Sequence, residues 1–118
     1  MSFAVTSEAV GEAVAVVSPA GELDAYTAPD VRAALVDVVD RGAEVVVCDL
    51  SAVTFLDSSG LGTLIGALKR LRERGGQLLV VQPGPSARRI FALTSLDRVL
   101  PLFETREAAL ASARRPDG

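Results

Sequence analysis

The residues best supplied for chemistry lie in the run VTFLDSSGLGTLIGALKRL, Val53 to Leu71, where Asp57, Ser58 and Ser59 precede a strongly patterned helix. Ser58 stands where a helix N-cap is expected, and two roles suit it. As a cap it would accept a hydrogen bond from an amide one turn on, contributing about 1 kcal/mol. As a phosphoacceptor it would sit at the positive end of the helix dipole among unpaired amides, where an added phosphate is tolerated. A phosphoserine carries about −1.5 to −2 charges. Beside Asp57 it would repel and desolvate a docked partner while leaving the helix folded. Catalysis by Ser58 is poorly supported. The chain has no histidine, so the serine could turn only to Asp57, Asp24 or a lysine for a base. The reading is of a protein that is not an enzyme and carries no cofactor or metal.

Gly60, Gly62 and Gly66 fall within the same helix, where each glycine costs about 1 kcal/mol relative to alanine. Such a cluster lowers the profile of the helix, either toward its own sheet or toward a partner. A second polar run, GELDAYTAPD from Gly21 to Asp30, brings Glu22, Asp24, Tyr26 and Thr27 ahead of another helix. In a parallel sheet the loops after successive strands gather at one edge, so this run is expected beside Ser58. A turn with a helix cap accounts for it equally well. The basic residues Lys69, Arg70, Arg72, Arg74, Arg88 and Arg89 read as solvated faces.

Two short β-rich runs, Phe3 to Thr6 and Ala13 to Ser18, make an antiparallel hairpin. Val31, Leu35 and Val38 mark a helix from Thr27 to Arg41, with Thr27 and Asp30 as a capping box and Gly42 at the stop. A buried strand over Val45 to Leu50 leads through a loop to the helix from Ser58 to Arg74, which Gly75 and Gly76 end. Gln77 to Gln82 is a further strand, PGPSARRIFALTS a short helix, Val99 to Phe103 a last strand, and Thr105 the cap of a final helix. Strands alternating with helices imply an α/β fold with a mixed, mainly parallel sheet. A single domain over residues 1–112 is expected, with a frayed tail over 113–118.

Partner classes narrow on composition. The formal charge is −3 and aromatics make up 4% of the chain, which argues against a nucleic-acid surface. No run approaches the roughly 20 apolar residues of a membrane span, and the start has no leader pattern, so a cytoplasmic location without membrane contact is expected. Cys48, the one cysteine, lies in the run VVVCDL and reads as a buried, inert thiol.

The segments AGELDAYTAPDV, DLSAVTFLDSSGLGTLIGALKRL, GGQLLVV and PSARRIFALTSLDRVLPLF together resemble the bacterial anti-sigma factor antagonists along nearly the whole chain. That resemblance implies a STAS fold, a mixed sheet with an N-terminal hairpin and helices mostly on one face. It also implies a partner switch in bacterial transcription regulation, in stress response or sporulation. The unmodified protein would bind an anti-sigma factor serine kinase and release a sigma factor, the kinase would phosphorylate Ser58, and a PP2C-type phosphatase would reverse the step. Carried over by position, the partner-binding residues would be Asp24, Thr27, Asp57, Ser58, Ser59, Gly60, Leu61 and Gly62. The rival within the same fold is a constitutive STAS scaffold or transporter-associated subunit. A response-regulator receiver is a poorer match, because the first strand is not followed by the acidic pair that would hold magnesium.

Overall fold

The computed structural model describes residues 3–113. The chain folds as β1 (Ala4–Gly11), β2 (Val14–Leu23), α1 (Ala28–Asp40), β3 (Val45–Asp49), β4 (Val53–Leu56), α2 (Ser58–Arg72), β5 (Gln77–Val81), α3 (Pro85–Leu93), β6 (Leu102–Phe103) and α4 (Arg106–Ala113), with a 3-10 turn at Leu96–Arg98. Of the expected tail over 113–118, Ala113 is the last residue of α4 and residues 114–118 lie outside the described residues.

The sheet runs β1-β2-β3-β5-β6, with β4 paired to β2. Among the described residues only the β1–β2 hairpin is antiparallel, and the other pairings are parallel. The mixed, mainly parallel sheet read from the sequence is therefore correct. β2 is long enough to serve two partners. Val14 to Val17 pair with β3, while Gly21 to Leu23 pair with β4.

Alternation along the central strands divides the core in two. Ala15, Val17, Val46, Cys48, Leu78 and Val80 face α1, α2 and α3, packing with Val31, Leu35, Leu64, Leu68 and Phe91. Val16, Val47, Leu79 and Val81 point the other way and meet Ala109 of α4. Three helices on one face and one on the other agree with the expected layering. Cys48 is fully buried among these side chains, and desolvation, with the charge of Asp49 adding to it, pushes its thiol up to about 12. That is the inert thiol expected. No helix among the described residues is long and apolar enough to cross a membrane.

Several local expectations are corrected. The stretch after β3 is not simply a loop: it contains β4, whose four residues are too few to show a clear period. The last strand is only Leu102–Phe103, because Leu96 to Arg98 wind into the 3-10 turn first. Thr27 makes no side-chain cap bond to α1, so the capping box does not form. Thr105 does cap α4, accepting from the Ala108 amide at 3.0 Å.

The N-terminus of α4 is tied down by charge. Arg106 donates to Asp49 Oδ2 at 3.1 Å, to Glu8 at 2.9 Å and to Ser18 Oγ at 3.1 Å, joining α4 to β1, β2 and β3. Burial acts to raise the Asp49 pKa, but hydrogen bonds from Ser51 and then Arg106 outweigh it and hold the carboxyl below its usual range. A depressed folded pKa means that the stabilisation is complete above about pH 4, the unfolded value, and is lost as pH falls through the folded one. Arg106→Met is expected to lower stability by about 1–2 kcal/mol at pH 7 and to lessen the further loss below pH 4. Urea denaturation at pH 7 and pH 3 reads both.

Candidate functional site

β2 and β4 run side by side and end together, with Leu23 opposite Leu56 and the Asp57 amide donating to the Leu23 carbonyl at 3.3 Å. The two polar loops that follow these strands are therefore neighbours, as the parallel topology requires. The first loop is a tight turn. Asp24 Oδ1 accepts from the amides of Tyr26 at 3.0 Å and Thr27 at 3.1 Å, and Thr27 Oγ1 accepts from the Asp24 amide and donates to the Glu22 carbonyl. Asp24 and Thr27 thus hold the loop's shape by bonding its own backbone. Tyr26 at its tip is 91% exposed.

The second loop assigns the cap differently from the sequence reading. Asp57, in extended conformation, is the N-cap of α2, its Oδ1 accepting from the Ser59 amide at 2.9 Å and the Gly60 amide at 3.2 Å. Ser58 is displaced to the first helical position, exposed, and its hydroxyl makes no hydrogen bond among the described residues. Aspartate and serine are comparable caps, so pattern alone could not choose between adjacent residues. The choice was made by the Asp57 amide bonding Leu23, which fixes Asp57 as the last extended residue. The amides expected to receive a phosphate on Ser58 are those of Ser59 and Gly60, and Asp57 already occupies them. Asp57→Ala should cost about 1 kcal/mol of stability, measurable as a lower denaturation midpoint with an unchanged slope.

The other expected partner-binding residues separate by depth. Ser59 is half-buried, and Gly62 is exposed with nothing within 4 Å of where a side chain would begin. Gly60 and Leu61 are buried. A Cβ at Gly60 would stand 2.6 Å from Leu56 Cδ1 and 2.7 Å from Leu23 Cγ, so this glycine brings α2 against its own strands. Phe55 was missed. It is 47% exposed, two residues before the cap and opposite Glu22 in the register. The signal for it was strand alternation through VTFL, invisible until β4 is recognised. The surface around Ser58 therefore offers exposed aromatic side chains among acidic groups, Glu22, Asp24 and Asp57.

Comparison with known proteins agrees with this architecture. The sequence profile of the STAS domain matches residues 6–109. An anti-sigma-B factor antagonist of Bacillus subtilis is 33% identical over 80% of this chain and 85% of its own. The crystal structure of an anti-sigma factor antagonist from Mycobacterium paratuberculosis superimposes with a TM-score of 0.87 at 38% identity, covering 97% of this chain and 96% of that one. The anti-sigma factor antagonist SpoIIAA in its unphosphorylated form gives 0.83 at 27% identity over 94% of this chain and 96% of that one. The Bacillus SpoIIAA in its phosphorylated form gives 0.78 at 27% identity over 94% and 100%. The chain belongs to the STAS-domain family, together with the anti-sigma factor antagonists that it resembles along most of its length.

Proposed function

We propose that this protein is an anti-sigma factor antagonist working as a phosphorylation-controlled partner switch in the bacterial cytoplasm. In its unmodified form it binds an anti-sigma factor that is also a serine kinase, and so frees a sigma factor for transcription. Phosphorylation of Ser58 by that kinase ends the complex, and a PP2C-type phosphatase restores the binding form. The observation that carries this reading is the unengaged Ser58 hydroxyl, exposed at the head of α2 while Asp57 caps the helix. A serine relieved of capping can be modified without uncapping its helix. The phosphate, denied the Ser59 and Gly60 amides, would project its charge toward the partner rather than be absorbed by the fold. Relatives named as antagonists of anti-sigma factors, and a relative solved both with and without phosphate, support the same reading.

The test is intact-mass analysis and peptide mapping after mixing the protein with ATP and each anti-sigma kinase encoded in the same genome, with Ser58→Ala as control. One phosphate on Ser58, absent from the control, is the expected result. No phosphate with any kinase would overturn the switch and favour a constitutive STAS scaffold or transporter-associated subunit.

A further inference from the structure

Between α1 and α2 lies a cavity of about 380 Å³, open to solvent, with Leu35, Val39 and Ala67 at its floor and Ser59 at one end. Beneath it, Leu35 of α1 and Leu64 and Leu68 of α2 belong to one buried cluster. The cavity exists because Gly62 and Gly66 contribute no side chains on the α2 wall. A Cβ at either would meet nothing within 4 Å, so neither glycine serves internal packing as Gly60 does. Ser58, Gly62, Gly66 and Arg70 are exposed residues spaced four apart and form one row along α2. The groove therefore starts beside the proposed phosphoacceptor and runs away from it.

Its rim is cationic. Arg32 on α1 and Arg70 on α2 line it. Arg32 has no carboxylate partner among the described residues. Arg70 meets Asp40 at 3.4 Å, but that carboxylate is also approached by Arg74 at 3.6 Å, and all three side chains are at least 40% exposed. Exposed pairs of this kind exchange easily, so the rim keeps a net positive charge.

We infer that the α1–α2 groove receives an acidic amphipathic α-helix of the partner, its apolar side chains seated over Leu35 and Ala67 and its carboxylates paired with Arg32 and Arg70. The low wall at Gly62 and Gly66 admits a helix backbone at short range, and the charge of the rim selects its sign. This inference rests on the partner-switch reading and extends it, since a phosphate at the head of the same row would repel the carboxylates of that helix.

The probe is a 16-residue N-acetylated helical peptide with leucines on one face and glutamates on the other, compared with the same peptide bearing lysines. In amide NMR titrations the glutamate peptide is expected to shift Val36, Thr63 and Gly66, and the lysine peptide is not. Gly66→Leu, which fills the groove with a good helix former, and Arg32→Glu should each weaken binding at least fivefold, with melting temperatures not lowered. Equal binding of the two peptides, or shifts confined to other surfaces, would sink the proposal. If a kinase modifies Ser58 and binds the wild type and Gly66→Leu equally, the groove assignment fails while the switch stands. If no kinase modifies Ser58, the switch fails and the peptide titration still decides the groove.

Discussion

Ser58→Asp is expected to weaken binding of the partner kinase by about 1–3 kcal/mol, or roughly 5- to 150-fold, the loss typical of a residue central to an interface. Ser58→Ala is expected to bind like the unmodified protein and to be insensitive to ATP. Both substitutions leave the helix intact, because Asp57 and not Ser58 carries the cap. Calorimetric titration of the two variants against the kinase, with denaturation curves as the control for folding, separates a surface effect from a stability effect. Equal affinities for Ala and Asp at this position would remove the charge argument. The effect is also expected to shrink as salt rises, since the introduced charge is exposed.

The second large effect lies two residues further on, where glycines close in sequence have opposite roles. Gly60→Ala is expected to destabilise the fold by about 2 kcal/mol, within the usual cost of overpacking. Its methyl would collide with Leu56 and Leu23, and the Leu23 carbonyl at 3.0 Å bars a retreat along the strand. Gly66→Ala is expected to raise stability by about 0.5–1 kcal/mol, because the new methyl enters open space and the helix gains propensity. Chemical denaturation of the two variants is sufficient to show the opposite signs. A loss of stability in both would mean that the α1–α2 groove is less open than its geometry implies.

The division between these glycines shows how the sequence under-determines a site. Gly60, Gly62 and Gly66 look alike in the run SSGLGTLIG, and all would lower the profile of α2. Which of them faces the sheet depends on where the helix begins and how it lies across β2 and β4. One residue of rotation at the cap turns each side chain by about 100°. Placing the cap at Ser58 rather than Asp57 therefore misjudged the amides available to a phosphate. The packing of α2 puts Gly60 and Leu61 on its buried side, which the pattern SSGLGTLIG does not announce.

By itself the sequence determined the class of fold, the order of nearly all its elements and the side-by-side placement of the two polar loops. Long apolar runs at period 2 and stripes at period 3.6 are local signals, set by which side chains must leave water. Parallel strands then force the Gly21–Asp30 and Asp57–Gly60 loops to one edge. Only the tertiary structure decided what each residue in those loops does. β4 exists because β2 extends past β3 and offers it a free edge, a long-range pairing that four residues cannot announce. That pairing places the Asp57 amide on Leu23, makes Asp57 the cap and leaves the Ser58 hydroxyl unengaged. The groove between α1 and α2 likewise belongs to neither helix alone. It arises where two apolar stripes meet around missing side chains, and its cations come from helices about forty residues apart in the chain.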